Sequence, residues 1–289
     1  MPTPSPGSAA VSPSFVRSAL RIYDLSLGQM LWSRRTVFMA LVVGGPVVVS
    51  VLLRALVAMD LFPQAIINGR PVTMEGPEMF GGIIWIFYLQ FAVPLLGMFY
   101  GTALIADEVE DKTITYLFTR PVSRGAVLVG KYLAYLACTG LVVLPSVMLV
   151  FLLVVPLQGG SIGTSFPDLV KDLALLAVGL AVYGALFALV GAWFKRPLLT
   201  GLVFVFLWEP TILFVPGYLK RFTVSYYIQG LVPHAMPQDG VVGALLSILQ
   251  ANEIVPSAAA SLMGLVVILV GGLSLATWLV GRKEYVLEQ

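Results

Sequence analysis

Six long apolar stretches limit what this chain can fold into more than any other feature of its sequence. They cover 19 to 24 residues each, and a helix needs about 20 mostly apolar residues to cross a bilayer. The predicted spans are residues 36–58, 83–106, 133–155, 173–194, 198–216 and 257–280. Since 58% of the 289 residues are hydrophobic, a soluble globular fold is excluded. The sequence predicts an all-α polytopic membrane protein with six transmembrane helices over residues 36–280.

The distribution of Lys and Arg predicts the orientation of these spans. Twelve of the 17 basic residues fall on one side of the predicted membrane and five on the other. The side rich in Lys and Arg is expected to face the cytoplasm. Both termini are therefore predicted to be cytoplasmic, which an even number of spans allows. The net charge of +2 gives no indication of nucleic-acid binding.

The segments that flank the spans differ in character. Residues 1–13 are rich in Pro and Ser and predict a disordered tail, and residues 281–289 form a cytoplasmic tail. Residues 14–35 are too polar to span and predict an amphipathic helix in the inner membrane interface. An ordinary juxtamembrane linker is the alternative. The apolar stripe of the predicted helix comprises Phe15, Ala19, Ile22 and Leu25.

Three external connectors are expected, at 59–82, 156–172 and 217–256. Within the last, residues 241–250 are apolar but only about half a span long, which favours a re-entrant or interfacial helix. Four predicted spans also contain a proline, which kinks a helix. These kinks suit a moving conduit and a static helix bundle equally. The prolines are Pro46, Pro94, Pro145 and Pro210.

Charge is concentrated in residues 107–131, DEVEDKTITYLFTRPVSRGAVLVGK, with acids first and bases after. Bases here follow from a cytoplasmic location, but four acids in five residues do not. We predict a short helix at 113–119 that ends before Pro121 and docks into a groove on another protein; a solvated loop is the alternative. The run at 125–132, GAVLVGKY, nearly spells a phosphate-binding loop. Tyr132 stands where that loop has Ser or Thr, so we expect no nucleotide site on this chain.

Residues 106–135, ADEVEDKTITYLFTRPVSRGAVLVGKYLAY, resemble the first cytoplasmic loop of ABC-2 type transporter permeases. In that family a run near E-E-x-E-x-G-T-[IL]-x-x-L-L-x-x-P-[IV]-S-R, followed by GK, joins spans two and three. Lys112 departs from the pattern, since relatives usually have glycine there. The matching residues are Glu108, Glu110, Thr113, Ile114, Leu117, Pro121, Val122, Ser123, Arg124, Gly130 and Lys131.

The resemblance implies a permease subunit that pairs with a second copy of itself or with a homologous permease. Each protomer would bind one cytoplasmic ABC ATPase subunit, and that partner would hold ATP and Mg²⁺. The chain itself would then carry no cofactor and would not be an enzyme. The residues implied in coupling to the ATPase are Glu108, Glu110, Asp111, Thr113, Ile114, Leu117, Arg120, Pro121 and Arg124.

The same resemblance implies ATP-driven export, or a transmembrane conformational signal, in the bacterial inner (cytoplasmic) membrane. Relatives export lipids, glycans, antibiotics or peptides, and some serve in the assembly of periplasmic metalloenzymes. A periplasmic accessory protein at the 217–256 loop is a further candidate partner.

Glu209 is the one acid well inside a predicted span, in FLWEPTILF. A carboxyl group at such a position usually faces protein or a water-filled cavity. We consider three roles for it: a substrate or cation contact along a conduit, together with Trp208; a polar tie across a dimer; or a hydrogen-bonded carboxyl near the outer interface. In the second span, Gly97 and Gly101 form a G-x-x-x-G pattern, which we assign to helix packing within the chain in preference to dimerisation.

Two other classes of function remain as alternatives. An ion-coupled secondary transporter would use Glu209, but it would also need further intramembrane ionisable groups and inverted repeats. An intramembrane enzyme would need a convergent set of catalytic groups, for which His234 and Asp239 are the only candidate pair. No metal site is predicted, because His234 has no Cys partner. The single cysteine, Cys138, is expected to be a small buried apolar residue.

Overall fold

The computed structural model of the chain is a bundle of long helices. It describes residues 15–61, 65–67, 70–72, 75–110, 124–213, 218–233 and 256–282. The all-α polytopic membrane fold is confirmed, whereas the number of six spans is not. Five described helices are long and apolar enough to cross a membrane: Arg35–Ala58, Gly76–Ile105, Arg124–Val154, Ile162–Trp193 and Ala258–Arg282.

Two helices precede the first external connector. Helix α1 covers Phe15–Leu31, and α2 covers Arg34–Ala58 with Pro46 inside it. Ser33 separates them because its backbone is extended, and its hydroxyl donates a hydrogen bond to the Met30 carbonyl. A small antiparallel hairpin of β1, Ala65–Ile67, and β2, Arg70–Val72, follows in the connector.

The second spanning helix has three parts: α3, Gly76–Ile83; a π-helix, Ile84–Ala92; and α4, Val93–Glu110. The π-helix ends beside Pro94, and the Val93 N–H donates to the Tyr88 carbonyl five residues back. Proline has no N–H to donate and crowds the carbonyl four residues before it. The wider π turns accommodate this, so the helix continues through the proline.

The third and fourth predicted spans are parts of longer helices. Helix α5 covers Arg124–Val154, and after a 3₁₀ turn at Leu157–Gly159 helix α6 covers Ile162–Trp193. Residues 162–172, which we predict to belong to a connector, are therefore helical. Charged residues interrupt the apolar run there, but an ion pair of 2.9 Å joins exposed Lys171 and Asp168 one turn apart on the helix surface.

The fifth predicted span, 198–216, corresponds to a shorter and interrupted helix. Helix α7, Pro197–Val203, continues through a π-helix, Phe204–Trp208, into α8, Glu209–Leu213. The apolar part, Pro197–Ile212, is only about 24 Å long, against a hydrocarbon core of about 30 Å. As in the second span, the π turns come directly before a proline, Pro210.

The remaining described elements lie in the last predicted external loop and in the last span. A 3₁₀ turn covers Tyr218–Phe222, helix α9 covers Val224–Gln229, and helix α10 covers Ala258–Arg282. Residues 241–250, for which we predict a re-entrant or interfacial helix, lie outside the described residues.

Close approaches between helices define two ends of the bundle. At one end, Gly76 at the start of α3 faces the carbonyls of Val154 and Val155 after α5, and Arg54 of α2 donates to the Leu153 carbonyl at 3.1 Å. At the other end, Gly125 of α5 faces Phe15 of α1 and Thr277 of α10. Helices α2 and α5 therefore run in one direction and α3 and α10 in the other, as in a chain that crosses repeatedly, while α1 runs alongside α5.

Helix α6 lies at the centre of this bundle and packs closely on α4. A Cβ atom added at Gly97 would lie 2.6 Å from the Cβ of Tyr183, and one at Gly101 would lie 2.8 Å from the Cβ of Phe187. The two helices can approach this closely only because these positions lack side chains. The assignment of the G-x-x-x-G pattern to helix packing is confirmed. We refer to this contact as the α4–α6 seam.

Candidate functional site

The segment predicted to couple to an ATPase falls largely outside the described residues. Glu108 and Glu110 belong to the end of α4, and Arg124 is the first residue of α5. Six of the predicted coupling residues lie in 111–123, outside the described chain, and the coupling role of the whole set stays a prediction. They are Asp111, Thr113, Ile114, Leu117, Arg120 and Pro121.

The run that resembles a phosphate-binding loop is helical. Residues 125–132 form the first turns of α5, so their backbone N–H groups are not arranged as a loop around an anion. Gly130 instead permits a helix contact: a Cβ atom there would lie 2.6 Å from the Ala19 carbonyl oxygen of α1. The predicted cytoplasmic loop is therefore continuous with a long helix at each end. Helix α1 packs against one of these two helices, α5.

Helix α1 packs only part of its predicted apolar stripe against the bundle. Its buried side chains are Ser18, Ala19 and Ser26, whereas Leu25 of the predicted stripe is 70% exposed. Small side chains are selected because α1 runs close to Gly130 of α5. The location of α1 in the membrane interface stays a prediction.

The candidate site of the described chain is a buried polar cluster around Glu209. Its carboxyl group lies at the start of α8 and is only 4% exposed. The π turns of span five end at Trp208 and the π-helix of span two contains Gln90. We call the cluster the Glu209 cluster; it consists of Gln90, Tyr183, Glu209, Val224 and Ser225.

Each oxygen of the Glu209 carboxyl group accepts hydrogen bonds from the same chain. The Val224 N–H, in the first turn of α9, donates to Oε1 at 2.9 Å. The Tyr183 hydroxyl of α6 donates to Oε2, and the Ser225 hydroxyl donates to Oε2 at 3.0 Å. The carboxyl group therefore joins α8, α9 and α6.

Gln90 brings the second span into this cluster. Its Oε1 lies 3.3 Å from the Ser225 Oγ, but that hydroxyl has one proton, and its contact with Glu209 is shorter. If the Gln90 amide is turned so that Nε2 faces Ser225, it becomes a donor to the hydroxyl oxygen. The donors then run in one direction, from Gln90 through Ser225 to Glu209.

The structure separates the roles considered for Glu209. The hydrogen bonds of Glu209 described above all lie within one chain. They fit the role of a hydrogen-bonded carboxyl group, and a polar tie across a dimer is not needed to explain them. Trp208 is 40% exposed and makes none of the hydrogen bonds to Glu209 described above. Contact of Glu209 and Trp208 with a transported substrate stays a prediction.

Sequence reasoning missed the partners of Glu209. Gln90 and Ser225 are 135 positions apart, and nothing in the local sequence pairs them. The available signal was weaker: Gln90 is an amide within an otherwise apolar run. Among the described residues, no group of three His, Cys, Asp or Glu side chains could hold a metal ion. His234 and Asp239 lie outside the described part of the chain.

The comparison with protein families gives one match. A family model described as ABC-2 family transporter protein matches residues 47–284, which includes every described helix from within α2 to the end of α10. A search of curated proteins finds no match to the chain. The family match gives no support to the alternative of an ion-coupled secondary transporter.

Proposed function

The chain belongs to the ABC-2 family of transporter proteins and is a membrane permease of an ABC transporter, and we propose that it works with a separate cytoplasmic ATPase subunit. Hydrolysis of ATP by that partner drives export of a substrate, or a conformational signal, through the helices of this chain. The observation that carries the proposal is the family match over 47–284, which covers the chain from within α2 to the end of α10 and includes residues 111–123 between α4 and α5.

The arrangement of α4 and α5 supports this loop as the point where force enters. Residues 111–123 connect the end of α4 at Glu110 to the start of α5 at Arg124. A displacement of the loop acts directly on two long helices, because α4 is helical up to Glu110 and α5 is helical from Arg124 onward. Helix α4 passes the movement to α6 along the α4–α6 seam. Helix α1 limits the freedom of α5 by packing at Gly130.

The complete transporter contains two permeases, either two copies of this chain or this chain and a homologue. Each binds one ATPase subunit, which holds ATP and Mg²⁺. The permease chain lies in the bacterial inner membrane with both of its termini in the cytoplasm. In this orientation the end of the bundle with Phe15 and Gly125 is cytoplasmic, and the end with Arg54 and Gly76 faces outward. The exposed Val16 and Leu20 of α1 are then available to the inner lipid interface.

Charge reversal in the coupling segment tests the proposal. Arg124→Glu together with Glu108→Lys leaves the net charge of the chain unchanged, and we expect the ATPase to lose its coupling to the permease while membrane insertion stays normal. The chain is purified from its native membrane, and the co-eluting ATPase and its ATP hydrolysis are measured. The matched control is Asp168→Lys with Lys171→Asp, a neutral swap at the exposed pair on α6. Unchanged ATPase binding and unchanged transport in the coupling variant would refute the coupling assignment.

A further inference from the structure

Helix α9 is held against the bundle on several sides although it lies outside the spans. Val224 and Ile228 are each 1% exposed, and the Ile228 Cδ1 lies 3.7 Å from a Cβ atom placed at Gly179 of α6. Glycines admit α9 next to α10: Gly264 faces the ring of Tyr227, and Gly230 faces Ser261. The Glu209 carboxyl group also accepts hydrogen bonds from two groups of the first turn of α9, the Val224 N–H and the Ser225 hydroxyl.

Two routes connect this cluster to the helix that leads into the cytoplasmic loop. Gln90 lies in the π-helix that continues directly into α4. Tyr183 provides the other route, because its Cβ packs against Gly97 of α4 while its hydroxyl donates to Glu209. A shift of α4 past α6 therefore moves Gln90, one polar partner in the cluster, and bears on the side chain of Tyr183, another.

Polar contacts respond to such a shift more sharply than apolar ones. A hydrogen bond is made at about 2.7–3.2 Å and weakens steeply when the distance or the angle departs from that range. An apolar contact is non-directional and declines gradually. A displacement of about 1 Å would break contacts such as those of Gln90 with Ser225 and of Tyr183 with Glu209, whereas the contact of Ile228 with α6 would keep about half or more of its energy.

We propose that Glu209 is a positioning residue of the transport cycle, which holds α9 closed against the spans and releases it when α4 moves relative to α6. The inference rests on the proposed function, because the movement of α4 comes from the ATPase partner. Glu209 then acts through α9 and does not itself need to contact the transported substrate.

Accessibility of a thiol on α9 tests this directly. Ile228→Cys is introduced into a Cys138→Ala background, and its labelling by a membrane-impermeant maleimide is timed for the full chain in membranes. Burial predicts slow labelling. Glu209→Ala removes the acceptor of three donors, and we expect labelling to accelerate by about tenfold or more. Glu209→Gln keeps one acceptor oxygen and is expected to give an intermediate rate.

A second variant and two controls separate release of α9 from general unfolding. Tyr183→Phe removes only the hydroxyl and keeps the packing on Gly97, so it should also accelerate labelling. Tyr135→Phe is the matched control, since its hydroxyl also bonds to α6, at the Leu180 carbonyl, but lies outside the cluster. Native Cys138 is fully buried in α5 and reports the fold when Glu209→Ala is made in the unaltered background.

Each outcome decides the matter. Faster labelling at Ile228→Cys with slow Cys138 supports the inference. Equal rates in Glu209→Ala, Tyr183→Phe and the parent overturn it, and so does equally fast labelling of Cys138, because Glu209 would then stabilise the whole fold.

The role in the cycle is read from the purified complex with its ATPase. Labelling of Ile228→Cys should differ between the nucleotide-free state and an ATP-trapped state, and Tyr183→Phe should reduce that difference. Identical rates in both states would overturn the cyclic role. If no ATPase co-purifies, the proposed function fails, whereas labelling in membranes without nucleotide still decides whether Glu209 holds α9.

Discussion

The α4–α6 seam gives the most quantitative prediction. Gly97→Ala and Gly101→Ala place Cβ atoms 2.6 and 2.8 Å from the Cβ atoms of Tyr183 and Phe187, about 1 Å closer than ordinary carbon contacts. A Cβ atom cannot rotate away, so the helix axes must separate. Overpacking costs about 1–3 kcal/mol, and these sites belong near the upper limit. Alanine recovers about 1 kcal/mol of helix propensity, so each variant loses about 2 kcal/mol.

Thermal unfolding measures this loss. Cys138, the single and buried thiol of the chain, becomes accessible to a thiol-reactive fluorophore when the bundle opens. A loss of about 2 kcal/mol corresponds to a Tm about 4–8 °C lower. The matched control is Gly140→Ala in α5, where an added Cβ atom meets nothing within 4 Å, and its Tm should be equal or higher. If Gly97→Ala and Gly101→Ala behave like Gly140→Ala, the seam does not depend on the absence of side chains.

Two smaller perturbations test other contacts. Tyr135→Phe removes a buried hydrogen bond of 2.8 Å between α5 and α6 and should cost about 1 kcal/mol, read as a lower Tm; an unchanged Tm contradicts this. Gly130→Leu collides with the Ala19 carbonyl of α1 and should release α1, which limited proteolysis detects as faster cleavage within 15–31. Gly28→Leu meets nothing within 4 Å and should leave cleavage unchanged.

Sequence predicts those parts of the fold whose structure depends on a single segment and not on its neighbours. Long apolar runs must form helices in lipid, because their backbone groups have no other partners there; the third, fourth and last spans illustrate this. Helix ends are less predictable. Helix α6 begins at Ile162, and Asp168 and Lys171 pair on its surface, although their charge resembles a connector.

Contacts between distant segments explain what sequence could not predict. The apolar stripe of α1 indicated an amphipathic helix, but it did not reveal that small Ser and Ala side chains pack closely on Gly130 of α5. Glu209 could be recognised as exceptional from its apolar surroundings alone. Its partners Tyr183 and Ser225 could not, since they come from α6 and the external loop and meet it only after the bundle has formed.

Tyr183 unites the two features that matter most for a moving bundle. Gly97 must lack a side chain so that α4 can approach the Cβ of Tyr183, and the hydroxyl of that same tyrosine reaches the carboxyl group of Glu209. Tyr183 therefore links α4, through the contact of its Cβ with Gly97, to the cluster that holds α9. A movement of α4 toward or along α6 must therefore either be absorbed at the Gly97 contact or displace Tyr183 and alter its bond to Glu209. The helices already lie in close contact at Gly97, so little movement can be absorbed there. A change in the bond between Tyr183 and Glu209 is therefore favoured.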